Sequence, residues 1–93
     1  MDKRFKEDLQ TYVFTTRFVI ENNSDITCVT HDHEGDWQFM SDDEFNESDA
    51  RVVSLQEILE LDSTLLKLAD LPIGYEANRK DKFSNWEINS ISN

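Results

Sequence analysis

The residues of this chain with the most obvious chemical capacity lie together in one polar stretch. His31 and His33 are separated by one residue, and Asp36 follows three positions later. Residues two apart in a β-strand point to the same face, so both imidazoles would converge there and Asp36 would complete a small metal site. Alternatively, these side chains hydrogen-bond to the backbone of a hairpin turn. Two histidines are only half of a zinc site, so we expect no metal and no other cofactor.

Nucleophilic catalysis would require the single cysteine, Cys28, beside one of the two histidines. His31 and His33 follow it by three and five residues, which within one strand places both on the opposite face. We therefore predict no catalytic residue and expect Cys28 to be a small buried side chain. Acidic residues are plentiful, but nothing in the sequence marks a pair of them for acid/base chemistry.

The polar stretch lies between two predicted strands, 26–31 and 36–41. Gly35 between them fits a turn position that requires positive φ. The segment 11–20 is rich in β-branched and aromatic residues and is expected to form a further strand, giving a three-stranded antiparallel meander. At period two, its expected buried face consists of Tyr12, Phe14, Phe18 and Ile20.

Helix signals follow the acidic middle of the chain. Ser54 with Glu57 three residues later is a capping box and predicts the start of a helix. Asp62 is a second N-cap candidate, so we expect two short helices, or one bent helix, ending by Ala69. Pro72 then stops the helical pattern.

The remaining segments complete a small α+β domain. A short strand at 51–53 and an extended segment at 73–77 are expected, and the tail is expected to dock through Phe83, Trp86 and Ile88. The predicted fold is an antiparallel sheet of three to five strands packed on one or two short helices. We expect one domain over 1–93, with a core at about 11–88 and frayed termini.

The charge distribution bears on partners. The formal charge is −11, and the interval between Arg17 and Arg51 contains no lysine or arginine. Such a surface repels nucleic acid and anionic membranes and favours a basic protein partner, or serves only solubility. The expected partner-binding residues are Asp36, Asp42, Asp43, Glu44 and Glu47. Arg79 is expected to clamp a carboxylate of this acidic interval internally.

Compartment and assembly are predicted from what the sequence lacks. A single cysteine excludes an intramolecular disulfide, and no apolar run approaches the length of a membrane span. The basic start of the chain is not followed by an apolar signal region. We therefore expect a cytoplasmic protein, either a monomer or a homodimer.

Three blocks of sequence occur in a specific order between residues 12 and 88. They are His31-Asp32-x-x-Gly35-Asp36-Trp37-Gln38-Phe39, Val52-Val53-Ser54-Leu55-x-x-Ile58-Leu59-x-Leu61-Asp62, and Leu71-Pro72-x-Gly74-Tyr75-x-Ala77-x-Arg79, with Trp86 after them. The chain thereby resembles a small bacterial family of uncharacterised single-domain proteins. More distantly, it resembles the immunity-protein-like domains encoded beside bacterial polymorphic toxins. The resemblance implies a non-enzymatic inhibitor and no catalytic residue.

We therefore predict a small acidic binding protein, for example an immunity-type inhibitor of a basic partner. One alternative is a small metal-dependent or acid/base enzyme that uses the hairpin of His31 and His33, with Asp36 as a third ligand. Another is a structural subunit of a larger assembly.

Overall fold

The computed structural model describes residues 3–91 and has an α+β fold with a six-stranded mixed sheet. The strands are β1 (Tyr12–Thr16), β2 (Cys28–His31), β3 (Trp37–Met40), β4 (Ala50–Ser54), β5 (Tyr75–Asn78) and β6 (Glu87–Ser90). The helices are α1 (Arg17–Asn22), α2 (Leu55–Leu61) and two 3₁₀ helices, Glu47–Asp49 and Ser63–Leu68.

The sheet has the strand order β4-β1-β3-β2-β5-β6. β1 and β3 are parallel, with Phe14 opposite Gln38, and the other neighbouring pairs are antiparallel. The predicted β2–β3 hairpin is confirmed, with His31 opposite Trp37. The predicted α+β class is confirmed, but the antiparallel sheet of three to five strands is wrong, because the sheet is mixed and has six strands. The predicted three-stranded antiparallel meander is wrong in strand order. Because α1 separates β1 from β2, the chain crosses over instead of turning back, and β3 becomes the parallel neighbour of β1.

β1 is shorter than predicted and buries the opposite set of side chains. Val13 is fully buried, whereas Tyr12 is 76% exposed and Phe14 is 41% exposed. The second half of the predicted strand forms α1 instead, so period two no longer describes Phe18 and Ile20. Either of the two alternating sets of side chains in β1 could face the core. The set that contacts the helical layer is the one that is buried, and the local sequence pattern does not determine which set that is.

The helical layer covers one face of the sheet. Leu55 and Ile58 from α2, and Leu65 and Leu68 from the 3₁₀ helix Ser63–Leu68, are buried in one core with the sheet residue Val29. Within residues 3–91, no helix covers the opposite face at β1 and β4, where Tyr12 and Val52 are exposed, and we call this face the open face. Among the described residues, no helix is long and apolar enough to cross a membrane.

Side-chain caps start both helical segments of this layer. The Oγ atom of Ser54 accepts a hydrogen bond from the backbone N–H of Glu57 at 3.2 Å, which confirms the predicted helix start. Asp62 in turn accepts from the N–H of Thr64 at 3.0 Å. The chain therefore forms two short helices in succession, the second of them a 3₁₀ helix.

The segments outside the predicted core are partly packed. Phe5 packs against Trp37 with ring centroids 4.9 Å apart, and β6 extends the sheet to Ser90. Of the three tail residues expected to dock, Trp86 does pack on the core, whereas Phe83 and Ile88 are 87% and 54% exposed. The predicted fraying concerns in part Met1, Asp2, Ser92 and Asn93, which lie outside the described residues.

Candidate functional site

Asp32 organises the turn that joins β2 to β3. Its Oδ1 atom accepts hydrogen bonds from the backbone N–H groups of Glu34 and Asp36, both at 2.9 Å. Gly35 has φ +89°, which confirms the predicted need for positive φ at this position. Asp32 therefore satisfies backbone groups of the turn, whereas His31 bonds outside it, to the Leu71 carbonyl.

The two histidines do not converge. β2 ends at His31, so His33 lies in the turn, where the strand periodicity no longer applies. His31 is buried and His33 is exposed, as is Asp36. Residues 3–91 contain no group of three or more histidine, cysteine, aspartate or glutamate side chains placed to hold a metal ion.

His31 occupies a well-defined environment at the end of β2. Its Nδ1 atom lies 2.7 Å from the backbone carbonyl oxygen of Leu71, and its ring stacks on Trp37 with centroids 4.0 Å apart. The indole N–H of Trp37 donates to Oε2 of Glu7 at 2.9 Å, and the same oxygen lies 3.9 Å from Nε2 of His31. Glu7 is thus brought to this histidine by the N-terminal segment.

These groups line a groove of about 500 Å³ at the hairpin end of the sheet. Ala69, Leu71, Pro72 and Ile73 give it aliphatic walls, and Lys6 and Asp70 are further charged members of its lining. Glu7 and Lys6 were not among the predicted site residues, because the N-terminus was expected to fray. The available signal was Phe5, the one apolar side chain among the charged residues 2–8.

The five predicted partner-binding residues form two groups rather than one. Asp36 precedes β3, whereas Asp42 and Asp43 follow it, at the other end of a strand of about 13 Å. Asp42 accepts a hydrogen bond from the Thr27 hydroxyl at 2.7 Å. Hydrogen bonds from the hydroxyls of Ser24 and Ser41 hold the pKa of Asp43 below its usual value.

The acidic interval receives countercharges from outside it. Arg17 donates to Asp49 at 2.6 Å, and Arg51 lies 3.5 Å from Glu21. A backbone hydrogen bond from Asn46, together with that from Arg17, holds the pKa of Asp49 below its usual value. The acidic interval therefore has less uncompensated negative charge in the fold than its lack of lysine and arginine suggests.

Glu44 and Glu47 remain the predicted partner-binding residues with the least internal engagement. Both are exposed, and neither joins an ion pair within residues 3–91. They lie between β3 and β4, with Glu47 in the first 3₁₀ helix. This acidic loop, residues 42–47, is therefore the part of the predicted surface that is free to meet a partner.

Arg79 is an internal clamp, as predicted, but with a different carboxylate. Its side chain is 1% exposed and donates to Oδ2 of Asp62 at 2.6 Å, to the Ile26 carbonyl at 2.8 Å and to the Thr64 hydroxyl at 3.0 Å. Its guanidinium also lies over the ring of Trp86 at 4.1 Å. Asp62 lies outside the acidic interval, so the expected partner was wrong and the structural role was right.

The open face of the sheet carries several large apolar side chains. Phe14 lies opposite Val52, and Tyr12 shares their face one pleat further along. Their exposed fractions are 41%, 56% and 76%. Cys28 lies on the same face and is half-buried rather than fully buried as predicted; burial raises the pKa of its thiol.

The acidic loop reaches this open face. Asp42 begins the loop two residues after Met40, whose side chain shares the face with that of Cys28. Glu76 in β5 lies opposite Thr30 and therefore also shares this face. Burial raises the pKa of the Cys28 thiol, and the charges of Glu76 and Asp42 act in the same direction. The open face thus has an apolar part at β1 and β4 and an acidic part near Cys28.

The chain matches no protein-family model, no curated protein and no solved structure. The resemblance to the bacterial family stays a prediction.

Proposed function

We propose that this protein is a non-enzymatic binding module that holds a basic protein partner on the open face of its sheet. The observation that carries the proposal is that helices cover only one face. The other face leaves Tyr12, Phe14 and Val52 exposed together, near an acidic loop.

The apolar part of this face has the composition of a protein-binding surface. Exposed apolar residues scattered singly are ordinary, but neighbouring ones on paired strands form a contiguous patch. Two of the three, Tyr12 and Phe14, are aromatic, the class enriched at the centres of protein interfaces. Because β1 and β4 are hydrogen-bonded to each other, the three side chains are held in fixed positions.

The charge of the chain favours a basic partner over a second copy. Two copies of a chain with a formal charge of −11 repel each other, whereas a positively charged protein is attracted and its association is accelerated. The acidic loop begins at Asp42 beside the open face, and its exposed Glu44 and Glu47 support contact with such a partner. An inhibitor of the immunity type in the bacterial cytoplasm fits this chemistry, because carboxylates can occlude a basic active site.

We favour binding over catalysis because the hairpin histidines do not act together. The enzyme alternative required His31 and His33 to converge, and one is buried while the other is exposed in the turn. An acid/base site at the hairpin would therefore lack the second histidine that this alternative requires.

The experiment is affinity capture with the purified chain, followed by association kinetics against the captured protein. One variant carries the two substitutions Tyr12→Ser and Val52→Asp. A matched control replaces Phe83, an aromatic residue 87% exposed near the opposite edge of the sheet, with serine. We expect the first variant to lose the partner and the control to keep it.

Charge is tested separately on the acidic loop. Changing Asp42, Asp43, Glu44 and Glu47 to their amides should leave stability almost unchanged, since exposed charges contribute little to the fold. It should slow association, most clearly at low salt, where screening is weak. The proposal would be contradicted if the captured protein bound the Tyr12/Val52 variant as tightly as the wild type. It would also be contradicted if the association rate changed neither with salt nor with the loop charges.

A further inference from the structure

We propose that the groove beside His31 is a binding site for a primary alkylammonium group, either of a free amine or of a lysine side chain. The groove lies next to the helical layer rather than on the open sheet face, so this inference does not rest on the proposed function.

The tautomer of His31 follows from its partner. A backbone carbonyl can only accept, so Nδ1 of the neutral ring must carry the proton that it donates to Leu71. Nε2 then presents a lone pair. The ring is held in this orientation by stacking on Trp37, and its side chain is nine-tenths buried.

The second acceptor is Glu7. Its Oε2 lies 3.9 Å from Nε2 of His31, which is too far for a hydrogen bond, and Trp37 fixes that oxygen through its indole N–H. Within residues 3–91, Nε2 makes no hydrogen bond. Two acceptor atoms 3.9 Å apart therefore border the groove with no hydrogen bond between them. An ammonium group, which has three donors and a positive charge, can satisfy both.

The rest of the groove suits an alkyl chain. Leu71, Pro72 and Ile73 provide aliphatic walls, and the volume of about 500 Å³ leaves room for a short chain behind the ammonium group. Asp70 also lines the groove, but its carboxylate is already paired with Lys3 at 3.2 Å, so Glu7 supplies the charge that the ligand would meet. Lys6 is the one competing cation of the lining, and its exposed side chain makes it removable without disturbing the core.

The test is an NMR titration that follows the His31 ring nitrogens and the Trp37 indole N–H, at a pH above the ordinary titration range of imidazole. The probe is n-butylammonium, and the matched probe is N,N,N-trimethylbutylammonium, which keeps the charge but has no N–H donor. We expect saturable shifts with n-butylammonium and at least about tenfold weaker binding of the trimethyl analogue, because charge-assisted hydrogen bonds are lost.

Protein variants separate the site from general charge attraction. Glu7→Gln should weaken n-butylammonium binding about tenfold or more, and Lys6→Met should strengthen it. Glu34→Gln removes one exposed acidic charge from the nearby turn and should leave binding unchanged. If Glu34→Gln weakens binding as much as Glu7→Gln does, the attraction is general and the site is refuted.

Two further outcomes would also overturn the proposal. One is equal binding of the trimethyl analogue. The other is a protonated Nε2 in the free protein, because Nε2 would then be a donor and could not accept a hydrogen bond from the ammonium group. A third probe, N-acetyl-lysine amide, identifies the source of the ammonium group. Tighter binding than n-butylammonium indicates a lysine side chain, and exclusion of this probe indicates a free amine.

Discussion

Replacing Arg79 with leucine removes the centre of a buried polar cluster while keeping an apolar side chain in its place. The guanidinium donates to the Asp62 carboxylate, to the carbonyl oxygens of Ile26 and Lys82 and to the Thr64 hydroxyl. The variant leaves these acceptors without their donor in a region where only 1% of the arginine side chain is exposed. Asp62, with 13% of its side chain exposed, becomes a nearly buried carboxylate without a cation.

The expected cost is large for a domain of this size. Breaking a buried ion pair by removing one partner costs about 3–5 kcal/mol, because the remaining charge stays desolvated. Small domains have a total stability of about 5–15 kcal/mol, so this loss can consume much of the margin. With a urea slope of about 1.5 kcal/mol/M, the unfolding midpoint should fall by about 2–3 M.

Two variants show which part of Arg79 matters. Arg79→Lys keeps the charge but not the planar fork, so it should fall between wild type and Arg79→Leu. Asp62→Asn keeps an acceptor for the N–H of Thr64 while removing the charge. In a double-mutant cycle, Arg79→Leu should cost clearly less in the Asp62→Asn background than in the wild type.

The pH dependence of the unfolding free energy gives an independent check, because the direction of the expected change is known. Burial raises the pKa of Asp62, but hydrogen bonds from Thr64 and Arg79 outweigh it and hold the pKa below its usual value. The ionised carboxylate therefore stabilises the fold above the unfolded-state pKa, and this contribution disappears as pH falls through the folded-state pKa. The difference between wild type and Arg79→Leu in urea unfolding should shrink in acid. A loss below about 1 kcal/mol at neutral pH, or a difference that grows in acid, would refute the clamp.

Three further stability predictions can be checked by the same urea titrations. Ser54→Ala removes the acceptor for the N–H of Glu57 and should lower the unfolding free energy by about 1 kcal/mol; no loss would mean that this cap is unimportant. Gly74→Ala should lower it by about 1–2 kcal/mol, because φ is +89° and the new Cβ atom would lie 3.2 Å from the His33 ring; an unchanged midpoint would show that the turn relaxes freely. Thr16→Val should leave stability unchanged or raise it, since the buried Thr16 hydroxyl has no hydrogen-bond partner among residues 3–91; a clear loss would reveal one in solution.

Features decided by near neighbours in sequence were predictable. The cap at Ser54, the positive φ of Gly35 and the β2–β3 hairpin depend on interactions across a few residues. The parallel pairing of β1 with β3 was not predictable in this way, because it joins Phe14 to Gln38 across a helix and a hairpin. Such pairing depends on how the whole sheet packs against the helical layer. The same packing buries Val13 and leaves Tyr12 exposed.

In the candidate site, too, local features were predictable and long-range contacts were not. His31 and Asp42 were identified as chemically interesting from their types and neighbours, but the residue that gives His31 its surroundings, Glu7, lies 24 positions earlier. The acidic interval looked uncompensated because its cations, Arg17 and Arg51, stand just outside it in sequence and fold onto it in space. Side-chain chemistry could be predicted locally, whereas electrostatic partners could not.

Charge also separates the two surfaces for which we propose ligands. A broad basic protein surface is attracted to the acidic loop beside the open face, where Glu44 and Glu47 have no cation of their own among the described residues. The groove instead has Lys6 in its lining, which repels an extended positive surface but leaves room for one ammonium group on a flexible chain. The two sites must therefore respond differently to the same change. Lys6→Met should strengthen amine binding in the groove and leave the association of a basic protein at the open face unaltered. An equal effect on both would mean that the overall charge of the protein, rather than the local surroundings of each site, determines binding.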